Sequence, residues 1–254
     1  SVPYALIAEN VPDGSITTNK IADGSITMEK LADNLKNEKK TNIGLANSAT
    51  GAFSFIGGGD ANIASGSYSA VVGGFTNKAQ ANYAIAAGGS TNTANALYAT
   101  VSGGSSNIAS AANATVSGGG SNSASGSNSV VGGGNTNAAT ATYTTVSGGN
   151  ANTANTTQAT VGGGYNNKAQ ASAATVSGGN SNTASGGNST VGGGTSNLAS
   201  QSNSTVSGGN DNTASGQFST VGGGGANTAS GTSSTVSGGN TNLANNTYAS
   251  VGGG

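Results

Sequence analysis

The sequence predicts an all-β fold, a parallel β-solenoid built from 15-residue coils. A Val or equivalent residue recurs every 15 positions from Ile56 to Val251, without one insertion, and an Asn follows six positions later from Asn62 to Asn242. Because disordered low-complexity sequence has no reason to keep register, this regularity indicates a stack in which every unit contacts its neighbours in the same way. A period of 15 is too short for paired-helix repeats, and the density of Gly, Asn and β-branched residues disfavours helices.

The composition excludes several classes of function. Charged residues make up 6% of the 254 residues, against about 25% in a typical globular domain, and the chain has 46 Gly but no Cys and no His. Zinc and most transition-metal sites therefore lack their usual ligands, and Ser or Thr nucleophiles lack a His base. With no Arg and a formal net charge of −1, the chain has no electrostatic footprint for nucleic acid. We expect no enzyme activity, no cofactor, no catalytic or metal-binding residues and no nucleic-acid partner.

Charge and repeat pattern divide the chain into three parts. Eleven of the 15 charged residues lie at positions 1–40, where Asp-Gly-Ser-Ile-Thr occurs twice with a period of ten. We expect residues 1–40 to be an N-terminal stalk made of several chains, or alternatively a solvated linker. Residues 41–55 fit the 15-residue frame loosely and are predicted to be a degenerate capping repeat, since terminal repeats are atypical. Residues 56–254 are predicted to form fourteen coils.

Alternation of side chains predicts the strands. In residues 158–163, one face carries Ala159 and Val161. The opposite face carries Gln158 and Thr160. Period-two alternation with β-branched residues is typical of a half-buried strand, and the Gly-Gly pair that follows can turn the chain with positive φ. A second short strand is predicted at Asn-x-Ala-x-Gly, with Asn, Ala and Gly on one face.

Two sets of equivalent residues invite a structural or a functional interpretation. The Asn residues six positions after each Val, the Asn column, are expected either to bond from coil to coil or to adopt the left-handed conformation at a turn. Aromatic residues three positions before each Val, the aromatic column, are expected either to pack between coils or chains or to contact a sugar or protein. The aromatic column comprises Tyr68, Tyr83, Tyr98, Tyr143, Phe218 and Tyr248.

A further 30-residue rhythm is superimposed on the coils. The residue after each Val alternates between Ser and Gly from Ser117 to Gly252. This alternation indicates duplication of a two-coil unit, and the sequence by itself gives no physical reason for it.

The repeats resemble a known family. Residues 212–224 read Asn-Thr-Ala-Ser-Gly-Gln-Phe-Ser-Thr-Val-Gly-Gly-Gly, which resembles the head repeats of trimeric autotransporter adhesins, the YadA-like heads. The resemblance extends over about residues 43–254, and it implies a left-handed parallel β-roll of three chains around a threefold axis, with a role in surface adhesion. The period here is 15 where the family usually has 14. The Asp-Gly-Ser-Ile-Thr repeats resemble those of tail-fibre-like proteins.

The thin core also favours association of chains. One Val and one Ala per coil bury little apolar surface against the entropy of ordering a whole 15-residue coil. The early repeats are apolar on both strand faces, at Phe55–Ile56, 70–72 and 85–87. We therefore expect a homotrimer, with chains intertwined or side by side.

Three functions remain open at this point. The leading hypothesis is a structural extracellular fibre or adhesin module, a rigid rod that attaches to an unknown protein or glycan receptor at a cell surface. The alternatives are a receptor-binding tail fibre of a phage or contractile injection system, on a virion or tail-fibre surface, and an ice-binding β-solenoid with a column of Thr. No apolar run approaches the roughly 18 residues that span a bilayer, so we expect no membrane insertion of this segment. The last repeat stops at Gly254, and we expect the chain to be a fragment.

Overall fold

The computed structural model describes residues 41–42 and 44–254, and in these residues the chain is a parallel β-solenoid without a helix. The all-β fold with 15-residue coils is therefore confirmed. Within this described part, each coil places one strand in a first sheet of 15 strands and the next strand in a second sheet of 14 strands. The stalk predicted for residues 1–40 lies outside the described residues.

Every strand has two residues, because the chain turns away after each inward-facing side chain. The first sheet consists of β1 Thr41–Asn42, β3 Phe55–Ile56, β5 Ala70–Val71, β7 Ile85–Ala86, β9 Thr100–Val101, β11 Thr115–Val116, β13 Val130–Val131, β15 Thr145–Val146, β17 Thr160–Val161, β19 Thr175–Val176, β21 Thr190–Val191, β23 Thr205–Val206, β25 Thr220–Val221, β27 Thr235–Val236 and β29 Ser250–Val251. The second sheet consists of β2 Ser48–Ala49, β4 Ile63–Ala64, β6 Lys78–Ala79, β8 Thr93–Ala94, β10 Ile108–Ala109, β12 Ser123–Ala124, β14 Ala138–Ala139, β16 Thr153–Ala154, β18 Lys168–Ala169, β20 Thr183–Ala184, β22 Leu198–Ala199, β24 Thr213–Ala214, β26 Thr228–Ala229 and β28 Leu243–Ala244.

Successive coils are joined in parallel at three places. In the first sheet, β17 pairs with β19 in register, so that Val161 lies beside Val176. In the second sheet, the Ala residues pair in the same way. A third column of single parallel bridges, the bridge column, runs from Leu45 to Asn240 and takes in every fifteenth position. The sequence analysis predicted the two strands of each coil but not this third line of pairing.

The first described coil departs from the 15-residue spacing on one side only. Thr41 pairs with Phe55, fourteen positions further along the chain. Leu45 already pairs with Asp60, fifteen positions further along, and the later coils keep that spacing. The pairing of Asn42 and that of Leu45 therefore differ in spacing by one position, at a coil whose described contacts lie on one side only.

The core is a narrow stack of small side chains. Val161, Ala169 and Asn167 of one coil are each fully buried, as is Ala159 at the start of the strand. Thr160, which alternates with them, is half-buried and faces outward. The alternation predicted for residues 158–163 is thus confirmed, and in the described part a partner can meet only the side chains of the outward columns.

Two corners of each coil hold residues other than Gly in the left-handed backbone conformation. At the corner before the first-sheet strand, Tyr143 has a φ of 59°, and at the corner before the second-sheet strand, Ala151 has a φ of 58°. The N–H of Thr144 donates to the carbonyl of Ala141 at 3.3 Å, which closes a turn with Tyr143 as its third residue. The N–H of Tyr143 donates to the carbonyl of Ser127 in the preceding coil at 2.9 Å. Because few non-Gly residues adopt positive φ, bonds between coils must hold these corners in place.

The alternation of Ser and Gly after each Val corresponds to two backbone conformations. A Cβ atom on Gly162 would collide with the carbonyl oxygen of Ser177 in the next coil, and the following Gly163 has a φ of 152°. In the Ser-containing coils the glycine that corresponds to Gly163, such as Gly178, has no positive φ, and a Cβ there would have no neighbouring atom within 4 Å. The 30-residue rhythm therefore has a steric basis, because Gly162 lacks the room that Ser177 has.

Candidate functional surfaces

The Asn column forms a buried row of hydrogen bonds between coils. Nδ2 of Asn182 donates to the carbonyl of Gly178 in its own coil at 2.9 Å and to the carbonyl of Gly194 in the next coil at 2.8 Å. Oδ1 of Asn182 accepts a hydrogen bond from the backbone N–H of Asn197 at 3.0 Å. The carboxamide thus satisfies three backbone groups, two of them in the next coil, and it is fully buried.

This geometry decides between the two interpretations of the Asn column. The same three contacts recur in each coil from Asn62 to Asn227. The partners are mainly backbone groups, with a direct carboxamide contact in addition where Nδ2 of Asn197 donates to Oδ1 of Asn182 at 3.1 Å. The left-handed alternative is wrong for the Asn itself, because the positive φ belongs to the preceding residue, as at Ser181. The Asn column holds the stack together and is closed to ligands.

Four aromatic rings at the N-terminal end of the stack form a ladder. Phe53, Tyr68, Tyr83 and Tyr98 occupy the same corner of successive coils, with ring centroids 4.8, 5.1 and 4.9 Å apart. The planes are nearly parallel, so each inner ring has both faces covered by its neighbours. Packing between coils, one of the two interpretations of the aromatic column, is confirmed for these four coils. For the two inner rings, Tyr68 and Tyr83, only the ring edges are left for a partner.

Further along the stack the aromatic column is interrupted, and its rings stand apart from one another. Tyr143 and Phe218 lie five coils from each other, and both are exposed. The bridge column adds Tyr165, an exposed ring that the sequence analysis did not single out. The signal that could have found Tyr165 is its place at a recurring position, the fourth after the Val, which is Asn in five of the other coils from 135 to 240.

The Thr column occupies the outward face of the first sheet. From Thr145 to Thr235 it is unbroken over seven coils, and each Thr pairs with the next in register. These side chains are half-buried. In the earlier coils the column is interrupted by Phe55, Ala70, Ile85 and Val130.

The N-terminal coils present an apolar strip on the same outward face. This strip, here named the N-terminal apolar face, consists of Phe55, Ala70, Val72, Ile85 and Ala87, and it lies beside the aromatic ladder. Phe55, Val72 and Ile85 are exposed, with 42, 59 and 40% of their surface open to solvent. From Thr100 onward the face is mostly polar. In these early repeats, which the sequence predicts to be apolar on both strand faces, one face is therefore buried in the core and the other is open to solvent in the single chain.

Charge and metal-binding groups are sparse over these surfaces. Residues 44–254 carry only Asp60, Lys78, Lys168 and Asp211. In this described part, no group of three or more His, Cys, Asp or Glu side chains could hold a metal ion. Across the same residues, no helix is long and apolar enough to span a membrane.

We compared the sequence with protein-family models and with curated proteins, and the fold and the surfaces described above remain the evidence for function. The sequence matches no protein-family model, and no curated protein matches it.

Proposed function

We propose that this chain is a structural rod module of an extracellular fibre that attaches to a surface through its repeated outward columns. The observation that supports this role is the unbroken 15-residue register from Leu45 onward, with successive coils joined at three places. Fourteen coils at about 4.8 Å each correspond to a rod of about 67 Å. With no cluster of chemically distinct groups in the described part, binding would be spread over many equivalent positions.

Repeated weak contacts suit attachment because each later contact is intramolecular and gains by avidity. With so few charges, those contacts would be hydrogen bonds and aromatic stacking, nearly independent of salt. In this proposal the chain is not an enzyme, and it acts outside the cell, at a cell surface or on a virion or tail fibre. An adhesin is our preferred variant, supported by the resemblance of residues 212–224 to adhesin heads. The ten-residue repeats in residues 1–40 support the tail-fibre variant instead.

The proposed assembly is a homotrimer with second and third copies of the chain on the N-terminal apolar face. Three coils with at most two outward positions each cover about 200 Å² at the usual strand spacings, against about 800 Å² per partner in a stable interface. The apolar face would therefore start the association, and side-by-side contact along later coils would supply the remaining area. The near-absence of charge favours such contact between identical copies, since little like-charge repulsion opposes it.

Deletion of residues 162–191 tests the rod directly. This two-coil unit can be removed without breaking register, so we expect a folded rod that is about 10 Å shorter by small-angle scattering. Adhesion of the labelled protein to a panel of bacterial and animal cells should weaken only modestly. A single outward substitution that abolishes adhesion while the rod stays folded would contradict distributed binding.

Ice binding is the second candidate function, and the unbroken run from Thr145 to Thr235 favours it. Regularly spaced Thr on a rigid sheet could order water, but the run offers one Thr per coil rather than two. A thermal-hysteresis measurement on the purified chain separates the candidates. Hysteresis that is lost in a Thr175→Lys/Thr190→Lys variant would support ice binding, and its absence in the parent chain would eliminate this candidate.

A further inference from the structure

Tyr165 lies between two carboxamides on the bridge column. It forms parallel bridges with Asn150 in the preceding coil and with Asn180 in the following coil, and all three residues are exposed. Oδ1 of Asn180 accepts a hydrogen bond from the hydroxyl of Ser181 at 2.7 Å, whereas the Thr136 hydroxyl, which lies 3.3 Å from Oδ1 of Asn150, donates its proton to the carbonyl of Asn135 at 2.8 Å. Both exposed carboxamides therefore have hydrogen-bonding capacity left for a ligand, since a carboxamide has two N–H donors and an oxygen acceptor.

A second tyrosine has the same surroundings on the aromatic column. Tyr143 lies between Asn128 in the preceding coil and Gln158 in the following coil, and all three are exposed. The backbone N–H groups of Tyr143 and Gln158 each bond to the preceding coil, which fixes the spacing of the three side chains. The two sets, each a tyrosine between two carboxamides, are here named the tyrosine triplets.

The triplets differ from the aromatic ladder in what covers the ring. In the ladder a neighbouring ring covers each face of the two inner rings, Tyr68 and Tyr83, which are 50 and 43% exposed. In the triplets the neighbours are Asn or Gln, which are shorter than Tyr, so the outer half of the ring extends beyond them. Tyr143 and Tyr165 are accordingly 59% and 55% exposed. Each triplet therefore offers an open ring face with hydrogen-bonding groups at its base.

This combination fits a neutral sugar. The C–H face of a pyranose ring is apolar and stacks on an aromatic ring, while its hydroxyl groups pair with carboxamides that donate and accept hydrogen bonds. A protein partner would need an apolar centre around the ring, whereas the residues beside Tyr143 and Tyr165 are Thr, Asn, Gly and Gln. The scarcity of charge argues against a charged polysaccharide.

We propose that the tyrosine triplets are binding subsites for a neutral polysaccharide. This inference rests on the proposed role in surface attachment and gives that role a ligand class. Two subsites on one rod can engage one polymer chain, so that weak contacts add by avidity.

Affinity electrophoresis of the full chain tests the proposal, with gels that contain hydroxyethylcellulose, galactomannan, dextran or no polysaccharide. Tyr143→Asn and Tyr165→Asn are suitable changes, because Asn already occupies both columns in neighbouring coils and should preserve the fold. We expect retardation by at least one polysaccharide, unchanged at high salt. The expected loss of affinity is about threefold for each single variant and about tenfold for the double variant. Phe75→Asn is the matched control, because Phe75 is an exposed ring on the bridge column that lies between Asp60 and Ser90 instead of between carboxamides, and this variant should bind normally.

Two results would overturn the inference. One is a parent chain that none of the neutral polysaccharides retards, and the other is a double variant that binds as well as the parent while circular dichroism shows it folded. If the rod still adheres to cells in either case, a protein receptor is indicated, and the proposed function stands without this ligand. If the parent chain binds a neutral polysaccharide through the triplets as expected but does not adhere to cells, the result counts against the proposed function and leaves this inference standing.

Discussion

The backbone N–H of Asn182 donates to Oδ1 of Asn167, one coil earlier, at 2.9 Å. The Asn182 side chain repeats the same bond to the coil that follows. Each carboxamide therefore fills two roles at once, because it closes its own turn at a Gly carbonyl and fixes the height of the next coil. Removing one of them affects two coils.

The first prediction concerns this row. Asn182→Ala leaves the buried N–H of Asn197 without its partner and removes one partner each from the carbonyls of Gly178 and Gly194, of which the latter still accepts a hydrogen bond from the N–H of Asn180. We expect the free energy of unfolding to fall by about 1–3 kcal/mol. Thermal denaturation measures it, with Asn210→Ala as the control, since Asn210 is exposed. Equal stabilities of the two variants would contradict a structural role for Asn182.

The second prediction concerns buried hydroxyls two positions before the Val. Oγ of Ser129 is buried and has no hydrogen-bond partner, whereas the hydroxyl of Ser204 donates to the carbonyl of Gln201 at 2.7 Å. Ser129→Ala should therefore stabilise the fold by about 1 kcal/mol, because Ala does not bury an unsatisfied group. Ser204→Ala should be neutral or destabilising. Chemical denaturation of both variants gives the sign, and a loss of stability in Ser129→Ala would refute the argument.

The third prediction tests the steric basis of the 30-residue rhythm. A methyl group at position 162 would collide with the carbonyl of Ser177, so Gly162→Ala should cost about 1–3 kcal/mol of stability. Gly178→Ala adds the same methyl group where no atom lies within 4 Å, and it should change stability by well under that amount. Comparison of the two melting temperatures isolates the collision. Equal effects would show that the Ser and Gly coils do not differ in this way.

The fourth prediction concerns assembly. Light scattering of the purified chain should give three times the chain mass of 23.7 kDa. The triple variant Phe55→Thr/Val72→Ser/Ile85→Thr carries the residues that prevail at these positions in later coils, so it should fold and yet lose trimer. Leu243→Thr, an exposed apolar residue in the second sheet, is the control and should remain trimeric. A parent chain that is folded and monomeric at micromolar concentration would contradict the homotrimer.

Much of the fold could be predicted because each coil repeats the same evidence. The alternation at Thr160 and Val161 identifies an outward and an inward side chain. A single copy of this pattern would allow other interpretations, and fourteen copies in register exclude them. The conformation of Ser181 could not be predicted, because positive φ in a non-Gly residue arises from bonds to neighbouring coils and leaves no local sequence signal. For the same reason the sequence left two interpretations open for Asn182.

The candidate surfaces were less predictable than the fold. The sequence places Tyr68 and Tyr143 in one column, with aromatic residues fifteen positions away from Tyr68 and carboxamides fifteen positions away from Tyr143. It does not show that the first ring stacks face to face on its neighbours while the second is more open. That difference depends on the residue one coil away on each side, which becomes a neighbour only once the coils are stacked. Tyr165 lies on the bridge column, which the sequence analysis did not predict, so its surroundings became visible only with the structure.

The spacing at the first described coil has a consequence for how such a chain can change its length. Thr41 pairs with a residue fourteen positions along the chain and Leu45 with one fifteen positions along, a mismatch that is accommodated where described neighbours lie on one side only. Inside the stack, one inserted or deleted residue would shift two sheets and the bridge column against both neighbours at once. Within the described coils, insertion or deletion of single residues is therefore disfavoured, while whole coils can be gained or lost without shifting the register. The length of the stack therefore changes in steps of about 4.8 Å and is set by the number of coils.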